Sequence, residues 1–86
     1  MDKIRNTINK VVEEIQEQEA YRPVALNEGL RIVNDLGFKS LDVAQLIASL
    51  ELEFGIDPFA QGVSIKDVVT LGDLYKVYYD CVENNK

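Results

Sequence analysis

The stretch DLGFKSLDVAQLIASLELEFGID, residues 35–57, decides the fold. Within it Val43, Leu46, Ile47, Leu50 and Phe54 recur at three- and four-residue spacing, the period of an amphipathic helix. The pattern predicts a helix over Ser40–Phe54. Ser40 is a favourable N-cap, and Asp42 lies in the first turn, where the helix dipole favours an anion. On capping alone, Ser40→Ala is expected to cost about 1 kcal/mol. Gly55 follows the last periodic residue and Pro58 comes soon after, both marks of a helix end. Asp42, Gln45, Ser49, Glu51 and Glu53 fall away from the apolar stripe. Just upstream, Gly37 punctuates the chain before the helix begins.

Outward from this segment the chain reads as further helices joined by turns. Ile4, Ile8, Val11, Val12 and Ile15 form one stripe, which predicts a first helix from about Asp2 to Gln18 with Glu13, Glu14 and Glu17 on the other face. Pro23 marks the end of the helical pattern, because it biases Arg22 away from helical angles. Residues 19–39 form the longest connection. Leu26, Leu30 and Ile32 recur in it too sparsely for a helix, and a loop of this length is expected to be functional or to pack through its own apolar anchors. Downstream, Ser64 and Asp67 have the spacing of a capping box and predict a short helix from Ser64. Thr70 and Asp73 repeat that spacing and open a last helix, about Leu71 to Glu83, with a stripe of Leu71, Leu74, Val77, Tyr78 and Cys81. The expectation is one domain over residues 1–86: an all-α, irregular four-helix bundle, three helices longer and one short, with a long loop between the first two.

Composition narrows the chemistry. At 86 residues only a modest core is available. The chain has no histidine and one cysteine, Cys81. Ser-His-Asp and Cys-His activation are therefore excluded, as are disulfides within the chain and multi-cysteine zinc patterns. The adjacent Glu13 and Glu14 point in different directions from a helix and make a poor acid–base pair. No catalytic residue and no metal site is expected. The formal net charge of −6 disfavours nucleic acid and anionic membranes and suits basic partners. No uninterrupted apolar run exceeds three residues, too short for a membrane-spanning helix or for the apolar region of a secretory signal. The cytoplasm is the expected compartment, and a monomer without membrane insertion the expected state.

Residues 35–57 resemble the acyl carrier protein family. Asp35-Leu36-Gly37 is similar to the family's turn, Ser40-Leu41-Asp42 to the opening of its acidic helix, and Leu50-Glu51-Leu52-Glu53-Phe54 to that helix's end. Leu26, Leu30 and Ile32 sit where the family's first loop places apolar anchors, and Thr70-Leu71-Gly72-Asp73-Leu74 resembles the start of its last helix. The resemblance covers nearly the whole chain. It implies a non-enzymatic carrier whose Ser40 receives 4′-phosphopantetheine from coenzyme A through a magnesium-dependent phosphopantetheinyl transferase. Cargo then rides as a thioester on the arm's terminal thiol, in fatty-acid, lipid or specialised acyl and polyketide biosynthesis. Physics agrees with the site, since a phosphodiester is favoured at a helix start with its free amides and positive dipole end.

The same resemblance offers Asp35, Leu41, Asp42, Gln45, Glu51 and Glu53 as residues facing partners: the transferase and acyl-handling enzymes with basic patches. Ile32, Leu46, Leu50, Phe54, Val68 and Leu74 are candidates to line a space for the acyl chain, though each also fits an ordinary core. The chain departs from the family at three places. Lys39 stands before the serine where aspartate is usual and is a candidate phosphate contact. Gln45 and Leu52 stand where common fatty-acid carriers tend to have glutamate. These departures favour a specialised carrier over the housekeeping one. Fatty acyl, hydroxyacyl, aminoacyl and polyketide cargoes all remain open, and so does a second reading, an unmodified acidic helical interaction module.

Overall fold

A computed structural model describes residues 2–84. Three α-helices account for most of them: α1, Asp2–Gln18; α2, Ser40–Phe54; and α3, Leu71–Asn84. The fold is all-α. The short helix expected from Ser64 is a single 3-10 turn over Ile65–Asp67. Ser64 makes no side-chain cap there, and Val68 is already extended, at φ −101° and ψ 95°. What pulls the chain out of helix is a backbone partner: the Val69 carbonyl accepts from the Ile32 amide at 2.9 Å. Two successive β-branched residues favour that extended path.

Each helix end has a local cause. At the end of α1 the Tyr21 amide donates to the Gln16 carbonyl at 2.9 Å and the Ala20 amide to that of Glu17 at 3.2 Å. These are the two bonds of a Schellman motif, and they place Ala20 at its left-handed position, with φ 57°. α2 ends at Gly55, φ 72°, whose amide reaches the Glu51 carbonyl at 2.8 Å. At the start of α3 the predicted box is present: Asp73 Oδ2 accepts from the Thr70 and Val69 amides at 3.0 and 2.9 Å, and the Asp73 amide donates to Thr70 Oγ1 at 3.1 Å. The Thr70 and Val69 amides hold the Asp73 carboxyl below the usual carboxylate range.

The 19–39 connection is ordered by two devices. One is an isolated antiparallel bridge, Arg31 with Thr70, flanked by the Leu71 amide on the Leu30 carbonyl and the Gly72 amide on the Glu28 carbonyl, each at 2.9 Å. The other is a helix-like turn in which the Arg31 carbonyl accepts from the Asp35 and Leu36 amides at 2.9 and 3.0 Å. These contacts drive Ile32, Leu36 and Phe38 into the core beside Ile8, Val12 and Ile15 of α1, Leu46 and Leu50 of α2, and Leu71, Leu74 and Tyr78 of α3. Leu26 and Leu30 pack partly buried against the same cluster, which is the anchoring expected of them. No helix among the described residues is long and apolar enough to cross a membrane. No cluster of three or more potential metal ligands is found among them either.

Candidate functional site

The start of α2 differs from the sequence reading by one residue. Lys39, with φ −91° and ψ 170°, occupies the N-cap position, and Ser40 is the first helical residue. The capping acceptor is not the serine hydroxyl but the Asp42 carboxylate, whose Oδ2 takes the Lys39 amide at 2.9 Å. With its capping duty taken over, Ser40 is left exposed. The first bond of the helical ladder runs from the Val43 amide to the Lys39 carbonyl at 3.0 Å. The Ser40 and Leu41 amides precede it and have no acceptor within the helix. An anionic group on the serine oxygen would therefore sit at the positive end of α2, with the exposed Lys39 next to it.

Asp42 corrects a second expectation. The family resemblance offers it to partners, yet it is only 4% exposed. The same Oδ2 that accepts from Lys39 accepts the Tyr21 hydroxyl at 2.5 Å. The Tyr21 bond and then the Lys39 amide hold its carboxyl below the usual carboxylate range, against the desolvation that would raise it. The Tyr21 hydroxyl is pushed up to about 12, chiefly by that bond. A carboxylate so buried and so bonded shapes the helix start and cannot face a partner. Asp35 is also engaged at home: it accepts from the Arg31 amide at 2.8 Å and pairs with the Arg31 guanidinium at 3.3 Å, which lowers its pKa.

The remaining partner candidates do lie at the surface. Leu41 is 79% exposed, and Gln45, Glu51 and Glu53 are exposed as well. Gln45 donates to Gln18 Oε1 of α1 at 2.9 Å. Leu52 is 88% exposed, the highest value among the exposed large hydrophobic residues. Leu41 and Leu52 are separated by about three helical turns and so share one face of α2, with the exposed Ala48 between them.

A groove of about 640 Å³ opens beside Ser40. Ser40, Lys39 and Ala44 stand at its exposed edge, and Ile32, Phe38, Leu46, Val68 and Leu74 line it from the core. Four of the six acyl-space candidates, Ile32, Leu46, Val68 and Leu74, are thus brought together. Leu50 and Phe54 are not: Leu50 is wholly buried in the core, and Phe54 packs its ring 5.3 Å from that of Tyr78. Phe59 and Phe38 take part instead. Phe38 could have been suspected from its place beside the apolar Leu36 across Gly37. Nothing in the pattern marks Tyr21, whose role depends on a contact with a residue far along the chain.

No family model matches the chain. Individual relatives do. It is 42% identical over 69 residues to an acyl carrier protein of Campylobacter hominis, covering 71% of this chain and 87% of that one. An acyl carrier protein of Rickettsia bellii is 30% identical over 77 residues, 88% of this chain and 95% of the relative. Among solved structures, MacpD, an acyl carrier protein of Pseudomonas fluorescens involved in mupirocin biosynthesis, superposes with a TM-score of 0.78 at 36% identity, over 91% of this chain and 69% of its own. A putative acyl carrier protein of Mycobacterium tuberculosis gives 0.71 at 30% identity, over 91% and 97%.

Proposed function

The chain belongs to the acyl carrier protein family, and from that membership we propose that it carries acyl groups as thioesters on a 4′-phosphopantetheine arm attached to Ser40. The observation that supports this most is the serine's position: exposed, first in α2, freed of capping by Asp42, and on the rim of the apolar groove. In the transfer the Ser40 oxygen would form a phosphodiester as the pyrophosphate link of coenzyme A breaks and adenosine bisphosphate leaves. The serine proton would go to a base on the transferase, so the absence of histidine in this chain is no obstacle. When attached, the arm supplies the thiol that bears the cargo, and this chain supplies position and recognition. The Ser40 and Leu41 amides and Lys39 would hold the phosphate.

The partners in this reading are a phosphopantetheinyl transferase and acyl-handling enzymes with basic patches, met by a monomeric, cytoplasmic carrier. Glu51 and Glu53 would guide the encounter, and the exposed Leu41 and Leu52 would add apolar contact. Leu52 and Lys39, together with the likeness to MacpD, favour a specialised biosynthetic role over the housekeeping fatty-acid one. The decisive measurement is the intact mass after incubation with coenzyme A and a broad-specificity transferase. One phosphopantetheine should be added to the wild type and none to Ser40→Ala. An unchanged wild-type mass with several unrelated transferases would leave the other reading, an acidic interaction module without an arm.

A further inference from the structure

The residues on either side of Ser40 are both held by one side chain from outside α2. Phe38, two positions before the serine, packs its ring 6.0 Å from the ring of Tyr21. Asp42, two positions after it, takes the Tyr21 hydroxyl at 2.5 Å. Tyr21 reaches this place because α1 ends in the Schellman motif: Ala20 turns left-handed, and the next residue is directed back across the helix end. Phe38 and Asp42 are both buried, which leaves both flanks of the serine little freedom.

We propose that Tyr21 is a positioning residue for the carrier site, bracketing Ser40 through Phe38 and Asp42 so that its hydroxyl is presented in one fixed orientation to the enzyme that attaches the arm. The inference rests on the carrier reading for its consequence, but the bracket itself is a property of the unmodified chain. Asp42 Oδ2 serves two donors at once, the Tyr21 hydroxyl and the Lys39 amide. Removing the Tyr21 bond leaves that oxygen with the Lys39 amide alone, so the backbone immediately before Ser40 loses its second restraint. Small displacements of a reacting group weigh heavily on transfer rates, while binding of the partner's surface patch is untouched. The loss should therefore appear in kcat and not in KM.

Tyr21→Phe keeps the ring on Phe38 and removes only the hydroxyl. With coenzyme A and a transferase, kcat for labelling should fall roughly tenfold with KM unchanged. Asp42→Ala should also slow labelling, and the double variant should be no slower than Asp42→Ala alone, because both changes break one linkage. A readout that needs no transferase is amide hydrogen exchange at Lys39, which Tyr21→Phe should speed roughly tenfold through local opening. Wild-type kcat together with unchanged Lys39 exchange in Tyr21→Phe would overturn the proposal, as would rate effects of the two single variants that simply multiply. Failure of the wild type to accept any arm is a different result. It sinks the carrier reading, and the exchange measurement alone then decides whether the bracket exists.

Discussion

Gly72 donates its amide to the Glu28 carbonyl at 2.9 Å, and a Cβ on Gly72 would stand 2.9 Å from that same oxygen. The first turn of α3 and the long loop can approach this closely only because position 72 has no side chain. A Gly72→Ala variant gains up to about 1 kcal/mol of helix propensity. Against this stands an overpacking cost of about 1–3 kcal/mol, since the atom in the way is backbone and cannot rotate aside. The sterics should win. Thermal unfolding should show a lower Tm for Gly72→Ala, and an equal or higher one would mean the loop gives way freely.

Ala20 presents the opposite case. Its φ of 57° is unfavourable for a residue with a Cβ, by about 1–2 kcal/mol. Glycine at this position relieves that strain but gives back about 0.4–1 kcal/mol through the freer unfolded chain. Ala20→Gly should stabilise the protein by about 0.5–1 kcal/mol, a rise in Tm of several degrees for a domain of this size. A fall in Tm would show that the Schellman turn tolerates alanine without strain.

Ser40→Ala should leave stability within about 0.5 kcal/mol of wild type, because the exposed hydroxyl does not cap α2. A serine that capped the helix would instead cost about 1 kcal/mol on removal. Denaturant titration of the unmodified proteins separates the two values.

Acid should loosen the starts of α2 and α3 together. Asp42 and Asp73 both have folded-state pKa values below their unfolded ones, and Asp35 shares the direction. The unfolded chain therefore binds more protons in that window, and stability rises with pH across it. Their contribution is fully present above the ordinary aspartate pKa, about 3.9, and is lost as pH falls below it through the folded values. Unfolding free energy measured against pH should fall along an acid limb below about pH 4. Asp73→Asn should make that limb shallower, and an identical limb would place the linkage elsewhere. At the alkaline side the Tyr21 bond, whose hydroxyl titrates at about 12, should persist past the ordinary tyrosine range.

The groove beside Ser40 predicts a dependence on cargo length. If a chain on the arm enters the 640 Å³ space lined by Ile32, Leu46, Val68 and Leu74, the Tm of the acylated protein should rise with length until the space is filled. A Tm constant across the series would mean the cargo stays outside.

The helices were legible in the sequence because each carries its own local signals. The stripe from Val43 to Phe54, the glycine at 55 and the Thr70–Asp73 box are all contained within a few residues, and α1 and α2 have the predicted bounds. What could not be read depends on partners far apart in the chain. A serine before an apolar stripe usually caps its helix; that Asp42 does the capping here depends on its burial, which Tyr21 secures from another segment. Asp42 looked like a surface acid because off-stripe acids usually are. The 3-10 turn replaced a helix because Val69 pairs with Ile32, a contact no local pattern announces. At the site, the serine's place at the head of α2 followed from periodicity, whereas the exclusion of Leu50 and Phe54 from the groove depends on their packing, Leu50 inside the core and Phe54 against Tyr78.

The two sides of the groove are held by different kinds of bonding. One is α2, secured by its own ladder and by the Asp42 cap. The other is the 65–69 segment, a single 3-10 turn fastened at its far end by the Ile32–Val69 bond, the Val69 amide on Asp73 and the Arg31–Thr70 bridge, with Val68 half-buried. A guest too wide for the resting gap would disturb fewer backbone bonds at the 65–67 turn than along α2. Breadth of fit would then be set by the few contacts of that short turn, while Ser40 keeps its place on the opposite wall.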